Sequence, residues 1–414
     1  MKMNEQVSEA DVPEVLVRLS AEMELELERI LLFWSTRAVD QLHGGFLGQI
    51  TGQGIPNPKA SKGAVLNSRI LWAFSAAYGK TGNPVYKDMA TRAYTYLISH
   101  FWDERNGGII WECNYLGKPL NVRKQAYAQG FAIYGLTEYF RVTREKESIA
   151  YAADLATILE TKFRDSRHGG YFEALSADWH PMEDVRLSTK DLNSPKSMNT
   201  HLHILESYTT LYELWTDDKL KCALTDLIRL FQCKIMNWET GHFNLFFDRN
   251  WLVCSSLISY GHDIEGAWLL RKAAVIVDDQ KLSAVTGEMA CILAAATLKE
   301  GLAADGSLWY ELDQTHLVRD HHWWVQAEAL VGFFDAWTAE NKSSYLRTVL
   351  KSWTYIKEHL IDSENGEWYW SIRDGDGPNL NEDKAGFWKC PYHNSRALME
   401  LMKRITQLSE LTNE

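Results

Sequence analysis

Residues 197–208, SMNTHLHILESY, carry two histidines two positions apart. The stretch reads as helix, where successive side chains rotate by about 100°, so His201 and His203 face different ways and cannot share one task. Asn199, His203 and Glu206 stand at i, i+4 and i+7, on one helical face. His203 is therefore expected to look into a site, and His201 to be packed or hydrogen-bonded behind it. Comparable polar first turns recur along the chain. One holds Asn67 and Arg69, another Gln125, Tyr127 and Gln129, and a third reads His262-Asp263-Ile264-Glu265. Two more begin His321-His322-Trp323-Trp324, followed by Gln326 and Glu328, and Tyr392-His393-Asn394, followed by Arg396.

Imidazole titrates near neutrality, so it can both take and return a proton at a carbon beside a carbonyl. Two such bases on opposite faces of one carbon can invert it, and a nearby arginine can hold the enediolate oxygen that develops. A helix N-terminus disfavours imidazolium and keeps the base neutral. Such chemistry needs no cofactor and belongs to a sugar epimerase or an aldose–ketose isomerase. Other chemistries fit less well. Glycoside hydrolysis needs two carboxylates flanking a bond. Glu265 and Glu328, with Asp263 or Asp191, are candidates, but carboxylates near Arg69 or Arg396 read better as orienting groups. A zinc site is disfavoured, because H-x-H on a helix cannot chelate with both rings and H-E-x-x-H is absent. Phosphate-binding glycine loops are missing, since the GG pairs lead into strands. A lectin-like module would use the aromatic residues but not three histidines.

For these distant residues to meet, the chain must bring many helix starts to one place. Six segments share a glycine followed by aromatic or β-branched residues: HGGFLGQI, NGGIIWEC, HGGYFEAL, TGHFNLFF, DGSLWYEL and NGEWYWSI. Their key glycines, Gly45, Gly108, Gly170, Gly241, Gly306 and Gly366, follow one another at 63, 62, 71, 65 and 60 residues, the mark of a repeat architecture. Each segment reads as a tight turn entering a short strand. Between them the apolar spacing predicts two helices per repeat, twelve in all: 14–38, 63–79, 84–102, 123–143, 146–163, 197–215, 217–236, 262–277, 281–300, 321–339, 343–360 and 392–410. The polar first turns all fall on even-numbered helices. An all-α (α/α)6 barrel over residues 1–414, one catalytic domain with short β-hairpin segments at one end, gathers those starts at a single mouth; an open solenoid is the alternative.

The 414 residues are 46% hydrophobic, enough for a large core, and carry a net charge of −12 with no basic run. That argues against nucleic acid or an anionic membrane as partner. No basic-then-apolar leader opens the sequence and no uncharged apolar run reaches 18 residues, so neither a signal peptide nor a membrane span is expected. Six cysteines form no C-x-x-C pair and read as reduced, packed thiols of a cytoplasmic protein. The 17 tryptophans and 18 tyrosines suit either a large aromatic core or a sugar cleft.

The blocks LNSRILWAFSAAY, KQAYAQGFAIY, RLSTKD, SMNTHLHILESY, GHDIEGAWLL, HHWWVQAEALVGF and FWKCPYHNSRA, in this order, resemble the N-acylglucosamine 2-epimerase superfamily. Within it they are most similar to cellobiose 2-epimerases, over about residues 20 to 405. The resemblance implies an (α/α)6 barrel that converts the reducing-end glucose of β-1,4-linked disaccharides, cellobiose or lactose, to mannose without metal or nicotinamide. It places the catalytic histidines at His203, His262 and His393. His203 and His393 assist ring opening, and His262 or His393 removes the C2 proton to give a cis-enediolate. Rotation about C2–C3 lets the opposite histidine return a proton. Arg69 would stabilise the enediolate. Tyr127, Asn199, Glu265 and Glu328 would hold sugar hydroxyls or orient the histidines, Trp324 and Trp388 would stack on the sugar rings, and Asp191 would grip the non-reducing unit. An N-acylglucosamine or monosaccharide epimerase/isomerase of the same fold is the nearest alternative, and an (α/α)6 glycosidase the more distant one. The disaccharide is the partner implied, and the chain is large enough to stand alone as a monomer.

Overall fold

The computed structural model describes residues 11–411. Twelve helices follow one another: α1 (Val12–Thr36), α2 (Ala64–Thr81), α3 (Pro84–Phe101), α4 (Ala126–Thr143), α5 (Lys146–Ile158), α6 (Met198–Tyr212), α7 (Asp218–Leu230), α8 (Tyr260–Val277), α9 (Gln280–Glu300), α10 (Trp323–Glu340), α11 (Ser343–Tyr355) and α12 (His393–Leu411). The even-numbered helices pack side by side and α12 returns to α2, which closes an inner ring; each outer helix lies on an inner neighbour, with α1 on α12. The result is an (α/α)6 barrel.

Sequence decides which helix goes where. In α4 every residue from Ala126 to Thr137 is buried, as a helix apolar on all sides must be. In α7 only Leu220, Ala223, Leu224, Leu227 and Ile228 are buried, a single stripe at i, i+3, i+4, i+7 and i+8 that faces inward. Caps fix the outer starts: Asn83, before Pro84, accepts from the Val85 N–H, and Asp217 from that of Leu220. Helices α5, α7 and α11 each end in one π-helical turn, Leu159–Phe163, Phe231–Ile235 and Ile356–Leu360. That turn fills the remainder of the predicted segments 146–163, 217–236 and 343–360. Helix α9 is long and apolar enough to cross a membrane by length and composition; here it packs along α8 and buries Leu282, Met289 and Leu293.

The strands are two or three residues long. Four short hairpins form within repeats among the described residues, Glu112–Cys113 with Pro119–Asn121, Met236–Asn237 with His242–Phe243, Glu311–Asp313 with His316–Val318 and Ser371–Arg373 with Gly377–Pro378, and other pairs join neighbouring repeats. Lys62–Gly63 pairs with Glu112–Cys113, Lys124–Gln125 with Ala174–Leu175, Lys196–Ser197 with Phe246–Phe247, Ile258–Ser259 with Glu311–Asp313, and His321–His322 with Ser371–Arg373. Ile50 bridges Ala385 and completes the circle. Every one of these first-named strands runs straight into an inner helix. This explains two shifted boundaries: the helices expected from 123 and 321 begin at Ala126 and Trp323, because the residues before them hydrogen-bond as strand.

Buried ion pairs pin four of the repeat turns. Lys62 reaches Asp40 at 2.7 Å, Lys124 Asp103 at 2.8 Å, Lys196 Asp165 at 2.7 Å and Lys384 Asp362 at 2.8 Å. Each ammonium also donates to a glycine carbonyl of that turn, on Gly44, Gly107, Gly169 or Gly366. Gly170 shows why the turns require glycine: its φ is +75°, and a Cβ there would lie 2.5 Å from the Trp251 ring. The outer ring closes where Trp34 of α1 donates to Glu367 at 2.7 Å and Trp368 donates to Glu26 of α1 at 2.9 Å. One expectation fails. Cys222, Cys233 and Cys254 are exposed rather than packed, because they fall on the solvent side of α7, its terminal π turn and a loop.

Candidate active site

Since α2, α4, α6, α8 and α10 each begin directly after a strand, equal steps along these helices reach equal depth in the ring. Three residues past the first lie Gln129, His201, Asp263 and Gln326, and these grip the repeat turns. Gln129 accepts from the Ile109 N–H at 2.7 Å and donates to its carbonyl at 2.8 Å; Gln326 does the same to Leu308 at 2.8 and 2.7 Å. His201 accepts the Tyr171 N–H at Nε2, 2.9 Å, and donates from Nδ1 to the Ser197 carbonyl, 2.6 Å. Both its nitrogens are occupied by backbone. Asp263 accepts from the Phe243 N–H at 2.8 Å and from His242 at 2.7 Å, so it serves the fourth turn and not the cup.

Five residues past the first stand Arg69, Phe131, His203, Glu265 and Glu328, and Arg396 lies three past the start of α12. These gather inside the ring. Above them is a cavity of about 410 Å³ lined by His203, His262 and His393, with Arg69, Tyr127, Asn199 and Glu265 beside them. Trp324 and Trp388 form walls, and Asp191 lies on the loop at the rim. The loop stem is tied down by Gln125 and Arg123, each donating to the Arg186 carbonyl at 3.0 Å. Glu328 is set behind His393 and does not line the cavity. Tyr310, Glu311 and Trp370 also line it, and the sequence reading gave them no role, although they fall in the repeat segments DGSLWYEL and NGEWYWSI; His322, outside the candidate site in that reading except as a secondary contact, lines it too. His322 stacks on Tyr310, with ring centres 3.8 Å apart and planes 8° from parallel.

The three imidazoles are held differently. His393 donates from Nδ1 to Glu328 at 2.7 Å and His203 donates to Glu206 at 3.0 Å, while His262 Nδ1 meets the Ser259 hydroxyl at 2.8 Å. In the first two the carboxylate fixes the tautomer and leaves Nε2 as the free base. Burial lowers all three pKa values, that of His262 to about 3, and the arginines add to the effect at His393. All three are therefore neutral bases at neutral pH.

Two buried arginines complete the floor. Arg396 donates to Glu206, to Glu265 at 2.5 Å and to Glu328 at 2.6 Å. Arg69 has no carboxylate within 4.0 Å among the described residues. It donates to the Tyr127 hydroxyl at 2.9 Å and lies over the rings of Phe131 and Tyr392, 4.1 and 4.6 Å from their centres; its Nε has no partner. Burial would raise Glu206, but Arg396 and His203 outweigh it and hold it well below the usual range. Glu265 goes the other way, up to about 8, through burial and the neighbouring Glu328; burial raises Glu328 as well, against the lowering pull of Arg396. Donor atoms of Glu265, Glu328 and His393 lie within 4.8 Å of one another, close enough to hold a cation, but the Arg396 guanidinium already supplies the positive charge between the two carboxylates. That geometry also bears on hydrolysis. Glu265 and Glu328 share one guanidinium nitrogen on the same side of the cup and do not flank a bond.

The family described as N-acylglucosamine 2-epimerase (GlcNAc 2-epimerase) matches residues 45–397. The chain is 48% identical to a cellobiose 2-epimerase of Bacteroides fragilis over 387 residues, 93% of this chain and 98% of that protein. It is 37% identical to a cellobiose 2-epimerase of Dictyoglomus turgidum, over 91% of this chain and 96% of that one. The solved structure of cellobiose 2-epimerase from Bacillus thermoamylovorans superposes with a TM-score of 0.89 at 37% identity, covering 93% of this chain and 99% of that chain.

Proposed function

We propose that this chain, which belongs to the N-acylglucosamine 2-epimerase family and is a carbohydrate epimerase, inverts C2 of the reducing-end glucose of β-1,4-linked disaccharides. Cellobiose would give glucosyl-mannose, and lactose epilactose. The observation that carries the reading is the set of three neutral imidazoles around one cavity that also holds Arg69, a buried cation with no carboxylate partner among the described residues.

His203 and His393 move protons between O1 and O5 to open the pyranose ring. One of His262 and His393 then takes the C2 proton, which the C1 carbonyl acidifies, and a cis-enediolate forms. Its oxygens develop charge beside Arg69, where low dielectric and fixed donors make the interaction strong. Rotation about C2–C3 presents the other face, and the second imidazole of the pair, once it has taken up a proton from solvent, returns it to C2 while the first releases the proton it removed; the two exchange roles in the reverse direction. Glu328 orients His393 and Glu206 orients His203. Tyr127, Asn199 and Glu265 hold sugar hydroxyls, Trp324 and Trp388 stack on the two rings, and Asp191 grips the non-reducing unit from the rim loop. No step calls on a metal or nicotinamide.

Cellobiose incubated with the protein in D2O, without added metal, tests this directly. The expected NMR result is deuterium at C2 together with glucosyl-mannose. Free glucose would instead mean hydrolysis, and an unchanged spectrum would sink the disaccharide reading. His262→Ala and His393→Ala should each lower kcat by about 10³–10⁴-fold with unchanged melting. Full activity in either variant would remove that histidine from the mechanism.

A further inference from the structure

Three carboxyl groups meet at the floor of the cup, and they are unequally supplied with donors. Glu206 receives His203 Nδ1–H, the Tyr392 hydroxyl and Arg396. Glu328 receives His393 Nδ1–H, Arg396 and the Trp268 indole at 3.1 Å. Glu265 receives Arg396 alone, on Oε1. Its Oε2 is buried without a hydrogen-bond partner, and the residue lines the cavity. A buried carboxylate with a bare oxygen is costly, whereas a carboxylic acid needs only something to donate to.

Charge balance leads to the same state. Glu265 is surrounded by Glu206 and His203 on α6, His262 on its own helix, Glu328 on α10, Tyr392 just before α12, and His393 and Arg396 on it, with Arg69 on α2 and Tyr127 on α4. With imidazoles and phenols neutral, two guanidinium ions face three carboxyl groups. Glu206 and Glu328, each with three donors, are built as anions, so Glu265 is the group left over.

We propose that Glu265 is kept as a neutral carboxylic acid at neutral pH and donates its Oε2 proton in a hydrogen bond to an oxygen of the bound sugar. The cup then carries no net charge before substrate enters, and the charge that appears during turnover is that of the enediolate and one imidazolium. The upward pKa of Glu265 agrees with this geometry. The proposal rests on reading the cup as the epimerase site; it assigns Glu265 a protonation state and makes it a hydrogen-bond donor to substrate.

Infrared spectroscopy of the substrate-free protein is the first test. The wild type should show a protonated-carboxyl C=O band at pH 7 that E265Q lacks, and that band should titrate away above about pH 8. Glutamine retains a donor at this position, whereas Glu328 must stay an anion. E265Q should therefore lose less than about tenfold in kcat/KM at pH 7 and E328Q more than about 100-fold. Wild-type activity should also fall on the alkaline side as Glu265 ionises, and E265Q should keep its activity there. Absence of the band, or E265Q as defective as E328Q with an unmoved alkaline limb, overturns the proposal. Because the band needs no substrate, this failure is distinct from finding no deuterium at C2 of cellobiose.

Discussion

Two guanidinium groups lie against the Tyr392 ring, 4.6 Å from its centre for Arg69 and 4.2 Å for Arg396, yet they are kept in opposite ways. Arg396 is bonded to three glutamates and ties α6, α8, α10 and α12 together. Arg69 is held by aromatic faces, one phenol and the Trp388 carbonyl. A buried charge held by carboxylates is architecture, since removing it strands its partners. A buried charge held by π faces remains free to meet an anion that exists only during turnover, and interactions realised in that state raise kcat.

The sharpest break of this contrast is Arg396→Met. It should lower stability by about 3–5 kcal/mol, the penalty for stranding buried partners, with activity lost in parallel; urea unfolding checks this. An unchanged midpoint would mean that the glutamates are not charged as described. Arg69→Met should do the reverse. Melting should hold while kcat falls about 10²–10³-fold, the typical loss of one oxyanion donor, with little change in KM. A change confined to KM would make Arg69 a ground-state binder.

The same contrast divides the two neighbouring histidines. His201 has both nitrogens on backbone, so His201→Ala should cost about 2 kcal/mol, mostly from the orphaned Tyr171 N–H, and leave a folded enzyme with most of its activity. A folded but inactive variant would place His201 in the chemistry. The smallest effect is expected at Glu26, a buried carboxyl that burial raises to about 7. A carboxyl raised above its ordinary 4.5 on folding contributes stability below that value and loses it as pH climbs through 7. Glu26→Gln should therefore flatten the fall in unfolding free energy between pH 5 and 8 by about 1–2 kcal/mol, and an unchanged slope would contradict the assignment.

All twelve helices were legible because packing periodicity is a local signal, and the six glycines marked the repeats. The short β-hairpins expected at one end are present, whereas the pairing of neighbouring repeats was not legible, since aromatic runs after glycine look alike whether they pair within a repeat or with its neighbour. The gathering of Arg69, His203, His262 and His393 followed from closure of the ring, which places helix starts at one mouth. The partners of Arg396 were out of reach: Glu206 is 190 positions away, and nothing local in either segment announces the pair. The Lys–Asp pins left a trace that could have been found. Asp40, Asp103, Asp165 and Asp362 each precede a turn glycine by four residues, with a lysine shortly before the next inner helix or its equivalent strand. In the fourth repeat Asn237 takes the aspartate's place in the turn, and there His242 with Asp263 supplies the buried pair instead.

The packing of α1 along α12 also bears on how the polypeptide could be rewired. Each inner helix leaves the mouth and ends at the opposite rim, where the outer helices begin, so the outer end of α1 and the far end of α12 lie side by side there. A short linker joining them, with new ends opened at the exposed turn between α8 and α9, would give a circularly permuted chain. It would keep every strand pair at the mouth and every group of the cup while the order of synthesis changed.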